Sequence, residues 1–174
     1  MIQYEDDYLP YEEHKIIQDY FMGKLDHGDI DHSCVWTYQN GIASPEDGHF
    51  QFVQQVFCEH TIISPAFKIL KPILIKEKVL AIARIKANLV LKTEKLKVFD
   101  NAFHTDLIDT TGATTAIYYV NSNNGYTLFE DGTKVKSVAN RLVRFPCNLK
   151  HTGTTCTDEN RRLLVNFNYF TYGN

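Results

Sequence analysis

The stretch ATTAIYYVNSNNGYTLFEDGTKVKSVANRLVRFP, residues 113–146, contains four short segments rich in β-branched and aromatic residues. An Asn-Asn-Gly sequence and an Asp-Gly sequence, both typical of turns, stand between some of them. Short strands separated by tight turns are typical of antiparallel sheets. The stretch therefore predicts a run of antiparallel strands, without the helical crossovers that parallel strands need.

Two longer strand candidates flank this run. RRLLVNFNYFTY, residues 161–172, follows it after a polar segment, and VLAIARIKANLVLKT, residues 79–93, precedes it. In the earlier strand, small and apolar residues alternate with polar ones. Solvent exposure is favoured over a substrate wall for the polar set, which consists of Arg84, Lys86 and Asn88.

The first part of the chain predicts two helices and a strand. PYEEHKIIQDYFMG, residues 10–23, opens with Pro, ends with Gly and repeats apolar residues at helical spacing. A second helix is predicted over 65–77, where Pro72 is expected to kink it. A strand is predicted from His49, with Phe50, Phe52 and Val53 facing a core.

Together these elements predict an α+β protein. Its core would be a double-stranded β-helix, a cupin-like jelly roll, with an N-terminal helical layer packed on one sheet. We expect residues 1–174 to form a single domain, in which 1–78 are the helical support and 79–172 are the jelly-roll core.

Composition argues against some partners and locations. A net charge of −3 argues against nucleic acid as the main partner. No apolar run is long enough to predict a membrane span, and the first residues do not resemble a signal peptide. The four cysteines are scattered without a Cys-x-x-Cys pair, which indicates a reducing compartment. We therefore expect a cytoplasmic location.

A His-x-Asp sequence, His104-Thr105-Asp106, lies shortly before the strand run. Alone it is a weak signal, and His27-Gly28-Asp29 repeats it elsewhere. On an extended segment His104 and Asp106 point the same way, and a jelly roll would bring His151 back across the barrel. Two neutral imidazoles and one carboxylate leave about three positions open on an octahedral metal, as in the facial triad of non-haem Fe(II) oxygenases.

Alternation divides the last strand into two faces. The better core face consists of Arg161, Leu163, Val165, Phe167 and Tyr169. The other face is predicted to line a polar cavity and consists of Arg162, Leu164, Asn166 and Asn168. A guanidinium fixed in such a cavity can hold a carboxylate by two parallel hydrogen bonds.

The ordered motifs of residues 79–170 resemble the Fe(II)/2-oxoglutarate-dependent dioxygenases. Within them, the chain is most similar to the prolyl-4-hydroxylase-like branch, which includes small phage-encoded homologues. The matching pieces are HTD (104–106), IYYVN (117–121), NGYTLFEDGTKV (124–135), NRLVRF (140–145), KHTG (150–153) and RRLLVNFNYF (161–170).

The resemblance implies a set of site residues and cofactors. His104, Asp106 and His151 would bind Fe(II), and Tyr119 and Arg162 would bind the distal carboxylate of 2-oxoglutarate, with Arg161 as the alternative anchor. Thr115 and Ile117, on the face of Tyr119, would line the cosubstrate pocket. Fe(II), 2-oxoglutarate and O2 are the implied reactants, with ascorbate as an optional reductant.

The implied reaction hydroxylates an unactivated C–H bond and releases succinate and CO2. A peptidyl prolyl residue is the first substrate hypothesis, and a free amino acid or other small metabolite is the second. Because this chain has Arg where collagen-type members have Lys, collagen-like specificity does not carry over. Nucleobase demethylation is less favoured by the charge and by the Arg spacing. If the chain is phage-encoded, its location would be the host cytoplasm.

Other functions stay open at this point. The chain could be a non-catalytic jelly-roll binding or assembly module with a vestigial metal site. A metal-dependent cupin isomerase or lyase would not need Arg162. The segments 92–103 and 24–48 are candidates for a mobile lid over the substrate, and an ordinary long hairpin is the alternative for the first of them.

Overall fold

The computed structural model describes residues 1–24, 34–107 and 112–172. Antiparallel strands dominate this part of the chain, together with two helices, α1 (Tyr11–Met22) and α2 (Ala66–Lys76). The strands in chain order are β1 (Gln3–Glu5), β2 (Thr37–Asn40), β3 (Phe50–Cys58), β4 (Thr61–Ile62), β5 (Val79–Leu91), β6 (Thr114–Tyr119), β7 (Tyr126–Phe129), β8 (Lys134–Lys136), β9 (Arg141–Pro146), β10 (His151–Thr152) and β11 (Arg161–Thr171).

The strands form two sheets. The large sheet has the order β1-β9-β6-β11-β5-β3-β2, with β4 attached to β3, and the small sheet has the order β10-β7-β8. Every strand pairing among the described residues is antiparallel. In the large sheet β6 lies between β9 and β11, and β5 lies between β11 and β3, so most neighbouring strands are distant in the sequence, as in a jelly roll. The predicted antiparallel jelly-roll architecture is therefore confirmed.

Both helices contribute to the apolar cluster on one face of the large sheet, which we call the outer face. Helix α1 ends at Gly23, whose φ of 69° is the left-handed conformation that glycine adopts without strain. Its buried Ile17, Tyr20 and Phe21 and the buried Leu70 and Ile73 of α2 join this cluster. No helix in the described ranges is long and apolar enough to cross a membrane.

The opposite face of the large sheet, which we call the inner face, meets the small sheet. Leu164 of β11 belongs to a cluster with Phe129 and Val135 of the small sheet. Leu163, Val165 and Phe167 instead join the outer cluster. The prediction that alternation divides β11 into an apolar face and a cavity face is therefore confirmed.

The solvent exposure favoured for the polar residues of β5 is wrong. Arg84, Lys86 and Asn88 lie on the inner face, because the register pairs Lys86 with Asn166 and Asn88 with Leu164. Lys86 is only 9% exposed. Both faces of β5 are covered in the middle of the strand, so Lys86 is buried there as well as the apolar Ile85 and Ala87.

One expectation for the segment before β5 also needs correction. Phe50 does not face a core: it is 48% exposed and stacks on Tyr38 at 5.8 Å between ring centroids. Buried Val53 does face inward, opposite Asn88. The polar segment 24–48 contains β2, while His27-Gly28-Asp29 lies outside the described residues.

Segment 92–103 packs beside the chain that carries His151. Phe99 is buried, its backbone N–H donates to the carbonyl of Gly153 (3.1 Å), and its carbonyl accepts from the hydroxyl of Thr152 (2.7 Å). The segment therefore forms part of the wall at this end of the sandwich. That it opens as a lid stays a prediction.

Candidate metal centre

A backbone bridge brings the two predicted histidine ligands together. The N–H of His104 donates to the carbonyl of His151 and the N–H of His151 donates to the carbonyl of His104, both at 3.0 Å. Residues opposite each other in an antiparallel pair hold their side chains close together. The two imidazole rings accordingly lie 4.9 Å apart, centroid to centroid.

Asp106 completes the cluster. One ligand atom from each of His104, Asp106 and His151 lies within 4.8 Å of the others, and His151 Nε2 is 3.6 Å from Asp106 Oδ2. Ligand atoms bound to one metal ion at about 2.1 Å stand roughly 3 to 4 Å apart. Small side-chain rotations would therefore let all three groups bind a single ion.

Backbone carbonyls orient both imidazoles for metal binding. Nδ1 of His104 lies 2.9 Å from the carbonyl oxygen of Ala102, and Nδ1 of His151 lies 3.1 Å from that of Leu149. Because a carbonyl only accepts, Nδ1 carries the proton in each ring and Nε2 keeps its lone pair for a metal. The donor set of two neutral imidazoles and one carboxylate fits Fe(II).

Asp106 is buried and held on several sides. Its carboxylate accepts from Arg84 Nη2 (2.9 Å), Thr115 Oγ1 (3.0 Å) and Asn166 Nδ2 (3.1 and 3.2 Å). Burial raises the pKa of Asp106, but attraction to His151 and Arg84 and the Asn166 hydrogen bond outweigh burial and lower the pKa to about 2. Asp106 is therefore ionised at neutral pH, as a metal ligand would need to be.

The environment of His151 keeps its imidazole neutral. Burial lowers the pKa of His151 below its ordinary value, although the nearby Asp106 carboxylate opposes this effect. Metal binding requires a neutral imidazole with a free lone pair.

Arg162 lies deep in the same cavity and is 2% exposed. Its Nε donates to Ser137 Oγ (2.8 Å) and its Nη2 donates to Thr127 Oγ1 (3.2 Å). No carboxylate among the described residues pairs with it. A buried guanidinium without a counter-ion is costly, so this position favours binding of an anion. The side chain of Arg161 lies on the opposite face of β11, because neighbouring strand residues point to opposite sides.

Tyr119 lies beside the hydrogen-bond partners of Arg162, whereas Thr115 lies beside Asp106. The fully buried hydroxyl of Tyr119 donates to Thr127 Oγ1 (2.7 Å), so Thr127 is shared between Tyr119 and Arg162. Thr115 donates to Asp106 and accepts from Asn168, and therefore helps to hold the Asp106 carboxylate in place. Ile117 lines the cavity as expected. Direct contact between Tyr119 and a cosubstrate stays a prediction.

One cavity joins the metal-ligand cluster to Arg162. Its walls consist of Ile42, Gln51, Lys86, Asn88, Val90, Phe99, His104, Asp106, Ile117, Thr127, His151, Thr152, Gly153, Arg162, Leu164 and Asn166. An ion bound at the histidines and an acid bound at Arg162 would therefore share one space, with apolar side chains around them.

Sequence reasoning missed several residues of this site. Arg84 and Lys86 have the alternation of a solvent face, and Ser137 and Thr127 carry no local signal. Two glycines make room for Arg162: a Cβ at Gly125 would stand 2.7 Å from its Cδ, and one at Gly153 would stand 3.3 Å from its Nη1. Gly153 belongs to the quoted KHTG motif, which could have drawn attention to it.

No family model matches the chain, and no curated protein matches its sequence. Solved structures share its fold. An oxidoreductase of the 2OG-Fe(II) oxygenase family from Burkholderia pseudomallei is 12% identical, with a TM-score of 0.64 over 97% of this chain and 85% of that one. A Trichoplax adhaerens prolyl hydroxylase, in complex with a hypoxia inducible factor peptide fragment, is 13% identical, with a TM-score of 0.57 over 97% and 83%.

A third similar structure has another activity. The non-haem α-ketoglutarate-dependent epimerase SnoN from nogalamycin biosynthesis is 12% identical, with a TM-score of 0.63 over 98% of this chain and 78% of that one. At such low sequence identity, the structural similarity shows the shared fold and leaves the substrate open. The chain thus has the fold of 2OG-Fe(II) oxygenases, with a His-Asp-His cluster inside it.

Proposed function

We propose that this protein is an Fe(II)- and 2-oxoglutarate-dependent dioxygenase that hydroxylates an unactivated C–H bond. The observation that carries the proposal is the shared cavity, where two histidines and an aspartate face the same space as a buried arginine without a carboxylate partner in the described chain. The fold shared with 2OG-Fe(II) oxygenases supports it.

In this proposal His104, Asp106 and His151 hold the iron and leave about three positions open. Bound iron and 2-oxoglutarate supply the oxidising chemistry with O2, and succinate and CO2 are released. The protein's own residues supply binding and orientation, and Arg84, Thr115 and Asn166 fix the direction of the Asp106 carboxylate.

Arg162 binds the distal carboxylate of 2-oxoglutarate through paired hydrogen bonds. Ser137 and Thr127 hold the plane of its guanidinium, and the Tyr119 hydroxyl, now bonded to Thr127, can turn to the same carboxylate. Ile117 and Leu164 cover this end of the cavity with apolar surface. Charged hydrogen bonds in such a water-poor site are stronger than in bulk water.

A peptidyl prolyl residue is the first substrate candidate, because the sequence motifs resemble the prolyl-4-hydroxylase-like branch and its small phage-encoded members. The shared fold of prolyl hydroxylases supports this choice. A free amino acid or small metabolite is the second candidate, and the buried Lys86 in the cavity wall favours it.

Three further parts of the proposal concern the domain organisation, the location and the accessory reductant. Residues 1–174 act as one dioxygenase domain, with 1–78 as an N-terminal helical support for the jelly-roll core 79–172. The protein works in the cytoplasm, of the host cell if it is phage-encoded, and ascorbate serves as an accessory reductant.

The first experiment mixes the protein with Fe(II) and 2-oxoglutarate without oxygen. The dioxygenase proposal predicts a weak absorption band near the red end of the visible spectrum, and succinate once air is admitted. His104→Ala serves as the blank. A protein that shows neither band nor succinate would be a jelly-roll binding or assembly module with a vestigial site.

A second experiment tests the arginine. Arg162→Ala is expected to raise the half-saturating 2-oxoglutarate concentration about tenfold or more, because a charge-assisted hydrogen-bond pair is lost. Arg161→Ala is the matched control and is expected to change it little. The reverse result would transfer the anchor role to Arg161. A cupin isomerase or lyase would not need Arg162, so catalytic activity that is the same in both variants as in the unaltered protein would favour that alternative.

A further inference from the structure

Lys86 stands beside the metal ligands on the inner face of β5. Its Cα partner across the sheet is Asn166, whose amide donates to Asp106. Directly opposite residues in an antiparallel pair have Cβ atoms about 4.5–5.5 Å apart. Lys86 also lines the cavity that contains His104 and Arg162. An ammonium group therefore faces the space next to the reaction centre.

Lys86 forms no hydrogen bond or ion pair with any residue that the structure describes, although it is nine-tenths buried. Burial lowers its pKa to about 8, the positive Arg84 acts in the same direction, and Asp106 opposes them. A mostly buried lysine without a partner is costly, and lysines are rarely buried this way unless they are paired. The side chain thus has an unused capacity to bind an anion.

Two amide side chains in the same wall have unused groups as well. Asn88 Nδ2 donates to Gln51 Oε1 (3.1 Å), while Gln51 Nε2 and Asn88 Oδ1 have no partner among the described residues. Exchanging the nitrogen and oxygen positions of both amides still leaves one donor and one acceptor. Asn166 Oδ1 is a further acceptor without a partner in the described chain.

The charges of the cavity identify Lys86 as the cation that remains for a substrate. Arg84 is paired with Asp106, and Asp106 is assigned to the metal. Arg162 is assigned to the cosubstrate. Lys86, with a donor and acceptors close to it, then has the chemistry that a carboxylate next to an amino group requires.

We propose, resting on the dioxygenase function above, that the second of the two substrate candidates is the right one: the substrate is a free amino acid whose carboxylate pairs with Lys86. The spare amide donor of Gln51 or Asn88 supports that carboxylate, and the spare amide oxygens accept from the amino group. A prolyl residue inside a peptide has neither group free. Lys86 therefore determines specificity and selects a small zwitterion over a peptide chain.

The test uses the unaltered protein loaded with Fe(II) and 2-oxoglutarate. Each of the free proteinogenic amino acids is titrated against it, together with the matching carboxamide and a proline-containing peptide. The readouts are the change in the absorption band without oxygen and the succinate released in air. At least one free acid is expected to perturb the band and to raise succinate above the substrate-free rate.

The carboxamide of that acid is expected to bind about 10- to 100-fold more weakly, because the charge-assisted hydrogen bonds to Lys86 are lost. The inference is overturned if no free acid has either effect, if amides act as well as acids, or if only the peptide responds. This comparison needs no variant, so it decides the question even where a substitution disturbs folding.

A variant then assigns the effect to Lys86. Lys86→Met removes the charge from a similar stem and is expected to raise the half-saturating acid concentration by the same factor, while the band of the loaded protein stays. Lys86→Arg keeps a charge and is expected to retain part of the binding. Lys68→Met, on the exposed surface of α2, is the control that changes neither readout.

The possible failures can be told apart. If Lys86→Met binds the acid as tightly as the unaltered protein, or loses the band together with the acid response, Lys86 is not the determinant. If the dioxygenase function itself is wrong, the unaltered protein shows no band before any acid is added. The band without acid selectivity overturns the Lys86 inference alone.

Discussion

The two faces of the large sheet differ although the same strands form both. On the outer face of β11, Leu163, Val165 and Phe167 belong to the same apolar cluster as residues of both helices. On the inner face of the same strand, Arg162 and Asn166 lie in the cavity beside the candidate metal ligands. Both faces are buried, so burial alone does not separate core from site. The difference lies in whether the polar groups already have partners.

Most polar groups of the outer face are bonded within the protein: for example, the hydroxyls of Tyr8 and Tyr169 both donate to the Glu77 carboxylate. Asp19 Oδ1 and Arg144 Nε are the exceptions on this side among the described residues. On the inner face, buried side-chain atoms of Gln51, Asn88, Gln55 and Asn166 have no partner among the described residues. Lys86 forms no hydrogen bond or ion pair with any described residue. A stable core removes such groups, whereas a binding site preserves them for a ligand.

The largest effect is expected on the inner face, at the candidate metal centre. Asp106→Ala removes the only carboxylate of the cluster and is expected to reduce succinate formation to the level of the blank, because two imidazoles alone bind Fe(II) weakly. Metal titration and succinate release measure it. Glu94→Gln, at an exposed position, is the control. Activity retained in Asp106→Ala would remove Asp106 from the ligand set.

The second prediction concerns the packing of the outer face. Phe167 is fully buried, and Phe167→Ala is expected to lower the free energy of unfolding by about 3–5 kcal/mol, through lost burial and a residual cavity. Urea denaturation measures it. Phe50→Ala, at a half-exposed aromatic position, should cost less than about 1 kcal/mol. Equal losses at both positions would contradict the assignment of the outer face as the core.

A smaller effect is expected from Thr115, whose hydroxyl bonds to the candidate ligand Asp106 on the inner face. Thr115→Val keeps the shape of the side chain but removes the hydroxyl that donates to Asp106. Loss of such a supporting contact typically lowers metal affinity by about 10-fold or somewhat more. Competition titration with a chelator measures it, and Thr37→Val on exposed β2 is the control. Unchanged affinity would mean that Arg84 and Asn166 suffice to orient Asp106.

The smallest effect concerns the turn that carries Ile42 to the cavity wall. The carboxylate of Asp47 accepts from the backbone N–H groups of Ile42, Ala43, Ser44 and His49. Burial raises the pKa of Asp47, but these four hydrogen bonds together outweigh it and lower the pKa. The stabilisation is therefore present above the unfolded pKa of about 3.9 and is lost as pH falls through the lower folded pKa.

Asp47→Asn should accordingly lower the free energy of unfolding by roughly 1 kcal/mol at pH 6. The difference between the two proteins should shrink as the pH falls below about 4. Denaturation at a series of pH values measures it. A difference that stays constant down to the lowest pH would show that the charge of Asp47 plays no part.

Much of the fold and the centre of the site could be predicted from local patterns. The strand run 113–146 and β11 have a period of two that only extended chain explains, and the turn residues between them exclude crossovers. That His104 and Asp106 point to the same side of an extended segment could be predicted without knowledge of the partner strand. The division of β11 into two faces was predictable because Leu163, Val165 and Phe167 are clearly the more apolar set.

The sequence by itself determined where β3, β5 to β9 and β11 lie and which of their side chains share a face, since alternation and turn chemistry act over a few residues. It also showed that two imidazoles and one carboxylate could meet, but it did not indicate the short strands β1, β2, β4 and β10. Only the tertiary structure decided that Arg84, Lys86 and Asn88 face inward. Alternation separates two faces without stating which is enclosed, and a charged row usually faces water. Here the pairing of β5 with β11 on one side and β3 on the other sets the register that turns this row toward the cavity.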